Sequence, residues 1–295
     1  MSRESERVFR EMHKAMEGKI FENEEQANEF ISNFINEYNN KSIKNQKLDS
    51  YDYLQMAEDA DTVEEAIKYA QKALKLDCYC LDAEMIIAQA KSDTIDDLKK
   101  NMEKVIQKGE KQLTERGISM EEDAGHFYGI LETRPYMRIR KTYLELLLEM
   151  GRFRSALNEA EDLLRLCEND NLGVRYSLMA LYSYFEEEGK ALELFKKYEE
   201  DSAFMLLPMI ALYYKADNAK KMRKYMLKLK NRNPNIAEAL EIIMSGDEEE
   251  ISEFASMEMY RPFSVEEVIL AISECSYLYI PMNHFLLRLY EEVVA

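Results

Sequence analysis

Hydrophobic residues recur along this chain at helical spacing almost everywhere. Val8, Met12, Ala15 and Met16 fall at i, i+4, i+7 and i+8. Ala27, Phe30, Ile31, Phe34, Ile35 and Tyr38 repeat the interval, as do Ile95, Leu98, Met102, Val105 and Ile106. Such stripes give a helix one apolar face, whereas a strand would alternate with period two. Start signals agree. Asn23 can cap a helix beginning at Glu24, and Thr62-Val63-Glu64-Glu65 and Ser264-Val265-Glu266-Glu267 read as capping boxes. The pattern predicts an all-α chain of roughly 13 helices, about 10–18 residues each, with connections of 2–6 residues.

Short helices joined by short turns raise the question of a repeat. Ala66, Ala70 and Ala73 form one small-residue seam, and Ala156, Ala160 and Leu163 form another. Ala191 is equivalent to Ala156 after 35 residues, and Met222 follows after 31 more. Small side chains at such positions let helix backbones approach closely. This resembles the tetratricopeptide repeat, a helix pair of ~34 residues. Asn233-Pro234-Asn235 sits where that repeat closes on Pro, while Cys78 and Glu168 stand there in other repeats. The resemblance implies a right-handed superhelical solenoid of antiparallel helix pairs. Repeats are expected at 47–80, 81–136, 137–170, 171–202 and 203–236, the second irregular with a long second helix and a loop. Residues 1–45 are expected as an N-terminal helical cap, 46–236 as the repeats and 237–295 as a C-terminal helical cap. No Gly/Ser/Pro linker divides them, so one continuous solenoid is expected.

The least regular stretch is Gly125-His126-Phe127-Tyr128-Gly129-Ile130-Leu131-Glu132-Thr133-Arg134-Pro135-Tyr136-Met137-Arg138. With Asn169-Asp170-Asn171-Leu172-Gly173-Val174-Arg175-Tyr176 it resembles the signature of the suppressor-of-tumorigenicity-seven family and its bacterial tetratricopeptide relatives. The resemblance covers about residues 48–240, and its specific part is 131–138. Tyr128, Ile139, Cys167-Glu168 and Leu172 depart from the family pattern. The resemblance implies a helical repeat with no established catalytic activity. Eukaryotic members carry membrane segments and none is expected in this sequence, so their location does not carry over. Physically, the stretch reads as a structural joint of Phe127, Tyr128, Thr133, Arg134 and Pro135. Thr133 or Arg134 can cap a helix with Pro135 in its first turn, and Gly125 and Gly129 permit a tight loop.

Composition narrows the picture. The 295 residues contain 9 Gly and 5 Pro; average usage would give roughly 35 together, so turn-rich β folds are disfavoured. The net charge of −18 opposes binding to phosphate backbones and to anionic membranes. The longest apolar stretch, 203–214, contains Pro208 and falls short of the ~20 residues of a membrane span. The first residues lack the apolar core of a secretory signal. Cys78, Cys80, Cys167 and Cys275 have no disulfide-framework spacing, which suits a reducing compartment. A cytoplasmic location is expected.

Chemistry-bearing motifs are absent from the sequence. His13, His126 and His284 belong to no metal-binding pattern, and Cys78-Tyr79-Cys80 lacks a two-residue spacer. No phosphate-binding glycine loop or nucleophile elbow occurs. No catalytic residue, metal or cofactor is expected. The expected function is a non-enzymatic protein- or peptide-binding scaffold that uses the concave face of stacked first helices. Residues 134–154 carry Arg134, Arg138, Arg140, Lys141, Arg152 and Arg154 against Glu145 and Glu149, a local excess of basic charge. The repeat register puts Arg138, Lys141 and Arg175 on the concave face, continued by Leu172, Met179 and Tyr182 and then by Phe204, Leu207 and Tyr214. Such a face suits a protein or peptide with an acidic or carboxylate end. The other reading of the basic cluster is that it bridges helices. The alternative function is an enzyme or enzyme subunit near the loop 125–138, using His126, Glu132 and Arg134.

Overall fold

The computed structural model describes residues 3–40, 48–246, 248–255, 260–282 and 284–294, and its described residues form seventeen α-helices and no strand. The chain divides into two compact units, Met1–Leu146 and Leu147–Ala295. The excess over roughly 13 expected helices lies partly in short C-terminal elements such as α14 (Glu248–Ala255) and the four-residue α16 (Ser276–Tyr279). A helix of one or two turns is too short to register as a stripe.

The first unit begins with α1 (Arg3–Met16) and α2 (Glu24–Asn40). Asn23 accepts the N–H of Gln26 at 2.9 Å, the cap its position predicts. Then come α3 (Ser50–Glu58), α4 (Val63–Leu76), α5 (Leu81–Ala90) and α6 (Ile95–Glu115). Asp49 and Asp52 form a reciprocal capping box at the start of α3. Each of these helices packs on the next, and α3 also touches α5. Ala70 and Ala73 are fully buried with Leu54, Ala57 and Ala83 where α3, α4 and α5 meet, while Ala66, expected in the same seam, is half-buried at its edge. Helix α7 (Arg134–Glu149) starts in the first unit. A Cβ built on Gly109 of α6 would lie 2.8 Å from the Tyr136 ring and 3.0 Å from Leu81. Glycine is therefore what lets α6 close on α5 and α7.

Between α6 and α7 the chain makes two short 3₁₀ turns, Phe127–Gly129 and Leu131–Thr133. Phe127 and Thr133 are fully buried. The Thr133 hydroxyl is turned back onto the carbonyls of Phe127 and Ile130 (2.8 Å for the latter). It ties the loop together, whereas the sequence allowed it a capping role. Arg134 donates from Nε to the Tyr128 carbonyl at 2.9 Å, and Pro135 is buried. Gly125 has φ +89°, but Gly129 has no positive φ, so only the first needs to be glycine for its backbone.

The second unit holds α8 (Phe153–Leu166), α9 (Val174–Tyr184), α10 (Glu188–Tyr198), α11 (Ala203–Lys215) and α12 (Ala219–Arg232). Three turns share one geometry. Arg152 N–H reaches the Leu147 carbonyl at 2.8 Å, Glu187 the Tyr182 carbonyl at 2.9 Å and Asn218 the Tyr213 carbonyl at 2.9 Å. The residue before each donor, Gly151, Glu186 or Asp217, has positive φ. This is the six-to-one closure of a helix end, and its intervals are the 35 and 31 residues that separate Ala156, Ala191 and Met222. Ala156, Ala160 and Ala191 are fully buried.

Beyond residue 236 come α13 (Ile236–Ser245), α14, α15 (Val265–Glu274), α16 and α17 (Phe285–Val294). Helix α15 packs on α11 and α13, α16 on α9 and α11, and α17 on α12 and α13. Ser264 accepts the N–H of Glu267 at 3.3 Å, as a capping box requires. The Glu267 carboxylate, however, leaves its own cap. It accepts the N–H of Ala203 at 2.6 Å and that of Phe263. One buried acid thus satisfies the start of α11 from another helix.

Candidate functional site

Arg138 lies at the centre of the first unit's polar network. Its Nη1 donates to Glu6 of α1 at 2.7 Å, and its Nη2 and Nε reach Asp82 of α5 at 2.8 and 3.4 Å. Glu6 is 1 % exposed and Asp82 9 %. Burial works against the Arg138 charge, yet the two carboxylates more than offset it and hold its pKa above the ordinary value. The same helix α1 sends Arg7 to Asp49 at 2.8 Å and to Asp52 at 3.0 Å. Arg10 lies over the Tyr51 ring at 5.4 Å, with its nearest acid, Asp77, at 3.9 Å. Helix α1 therefore crosses a face supplied by α3, α5 and α7.

An open cleft of about 1080 Å³ runs beside α1. Its walls include Arg10, His13 and Lys14 of α1, Tyr51 of α3, Arg116 at the end of α6 and Glu132. Arg116 stacks over Tyr79 at 4.3 Å. Both charge signs and the Tyr51 ring thus border the opening.

Arg175, expected beside Arg138 on one surface, belongs to a separate cluster in the second unit. It donates to Asp170 and Glu200, each at 2.8 Å, and to the Tyr176 hydroxyl at 2.5 Å. Asp170 has φ +49° and also accepts the N–H groups of Val174 and Arg175, so the network fixes the turn into α9. Lys141 pairs with Glu145 one turn away at 2.6 Å.

The apolar continuation of that surface faces inward. Met179, Tyr182, Phe204 and Leu207 are buried. Tyr182 bonds to Glu161, and Phe204 lies between Tyr176 and Tyr260. Tyr214, half-buried, meets Phe285 edge-on at 5.2 Å. Helices α15 and α16 also pack on this side of the unit, α15 on α11 and α16 on α9 and α11. Among the residues considered for acid–base chemistry, Glu132 borders the cleft, Arg134 is committed to Tyr128, and His126 is exposed on its loop. Among the described residues there is no cluster of three or more His, Cys, Asp or Glu able to hold a metal, and no helix long and apolar enough to cross a membrane.

The sequence marked Arg138 but missed Glu6, Asp82, Arg10 and Tyr51. No protein-family model matches the chain, and neither does any curated protein or solved structure.

Proposed function

We propose that this chain is a non-enzymatic, cytoplasmic scaffold of tetratricopeptide-like helix pairs that binds a protein or peptide on its first unit. The observation that supports the reading is the open, mixed-charge cleft beside α1, bordered by Arg10, Tyr51, Arg116 and Glu132. A helix-pair repeat offers such a face from its first helices. The corresponding surface of α9 and α11 is filled by α15 and α16, so the first unit carries the binding role. Arginines beside tyrosines supply charge-assisted hydrogen bonds and buried area to an acidic peptide.

A photo-crosslinking residue placed at Arg116, in the full chain expressed in its native cell, tests this against the same residue at Lys230, exposed in the second unit. Reproducible capture of one protein from position 116 and not from 230 supports the reading. Capture from neither, or equally from both, rejects it.

A further inference from the structure

Polar side-chain ends fasten α1 to α3, α5 and α7, beside a narrow apolar stripe in which Met12 is buried and Val8, Ala15 and Met16 are half-buried. Glu6 meets Arg138, Arg7 meets Asp49 and Asp52, and Arg10 covers Tyr51. Among its described side chains the only buried apolar one is Met12, and Phe9 is 38 % exposed. Helix α15 differs in kind. Val268, Ile269, Leu270, Ala271 and Ile272 are all buried, so its seat is core. The seat of α1 is also imperfect. The Nε of Arg10 is buried without a hydrogen-bond partner among the described residues, and an open cleft lies beside it. The Arg7 pairs join partly exposed side chains and contribute little net stability, whereas the Glu6–Arg138 pair is buried, so an incoming molecule must supply its own carboxylate to Arg138.

We infer that α1 is a built-in occupant of this face, and that the partner which displaces it is a helical peptide presenting a carboxylate to Arg138 and a cation to Asp49 and Asp52. The inference rests on the binding reading above and adds the class of partner and its control. The pattern the partner must match is written in α1 itself: an acid, a base in the next position and a second base three residues later, as in Glu6, Arg7 and Arg10. An outside helix reproduces the Glu6 and Arg7 contacts and fills the cleft as well. Because α1 is tethered, its effective concentration is of order millimolar for a short connection. A weakly matching peptide is therefore kept out, and a better one must out-compete α1 rather than enter an empty groove.

The test uses the full chain and a fluorescent peptide of residues 3–17 as the probe. Fluorescence anisotropy reports peptide binding, and hydrogen exchange at amides 8–14 reports release of α1. In the Glu6→Ala variant those amides should exchange at least tenfold faster than in the parent, with α5 unchanged. The peptide should bind that variant at least tenfold more tightly than it binds the parent, less so at high salt. The peptide carrying Glu6→Gln should lose this gain, which tests the Arg138 contact without altering the protein. Unchanged exchange in Glu6→Ala would make α1 a fixed part of the fold and overturn the inference while leaving the binding reading standing. Faster exchange with no peptide binding would overturn the inference and the binding reading together.

Discussion

The guanidinium of Arg138 holds the carboxylate of Glu6 at 2.7 Å across 132 residues of sequence. Asp82 shares the same guanidinium. Three helices far apart in the chain thus meet on one cation. Removing that cation leaves two buried carboxylates facing each other. Arg138→Ala should therefore cost about 3 kcal/mol, the lower range for breaking a buried pair by deleting one partner. Urea denaturation checks it, and a loss well under 1 kcal/mol would mean the network is solvated.

Gly109 should resist any side chain. Its nearest neighbours are the ring of Tyr136, itself buried, and Leu81. Gly109→Ala gains helix propensity but must push that ring aside, and overpacking costs ~1–3 kcal/mol. A melting temperature equal to or above the parent's would show that α6 can move away freely.

The alanine seam of the second unit makes a similar demand. Ala156 and Ala191 are fully buried where three identical turns set the register. Ala156→Leu and Ala191→Leu should each lose ~1–3 kcal/mol. Two variants that unfold like the parent would contradict the register.

Glu267 predicts a pH dependence. Burial raises its carboxyl above the ordinary value, and the N–H groups of Ala203 and Phe263 offset only part of this. The folded state then holds the proton more tightly than the unfolded chain, whose carboxyl titrates near ~4.3. The resulting stability is fully present below that value and is lost as pH rises through the folded pKa. Relative to Glu267→Gln, which does not titrate, the parent should be most stable at low pH and level off once Glu267 is charged. Paired denaturation curves from acid to neutral pH would contradict this if the gap stayed constant or widened upward.

Local structure was legible where spacing carried the information. The 35- and 31-residue spacing of Ala156, Ala191 and Met222 matches that of three helix-end turns, because each residue is buried at the same place after its turn. Arg138 was legible as one of a basic cluster in an acidic chain. Its partners were not, since Glu6 and Asp82 are two among 57 acidic residues and charge alone does not say which face a helix docks. Helix α11 held a clue that the groove reading passed over. Residues 203–213 are apolar all round and all buried, the mark of a helix covered on every side rather than lining a groove. Gly109 was a second clue, because a glycine inside a long helical pattern marks a close approach.

The proposed contrast between an exchangeable helix on the first unit and a covered face on the second can be read with the chain's own thiols. Cys80 shares a small pocket with Arg10 and Tyr51, and burial pushes its thiol up to about 11. Cys275 is buried where α15 meets α16. Labelling by a thiol reagent, followed residue by residue by mass spectrometry, measures how often each becomes accessible. Release of α1 in Glu6→Ala should speed labelling of Cys80 about tenfold or more and leave Cys275 as protected as in the parent. Equal labelling of Cys80 in parent and variant, or Cys275 reacting as fast as Cys80, would contradict the account.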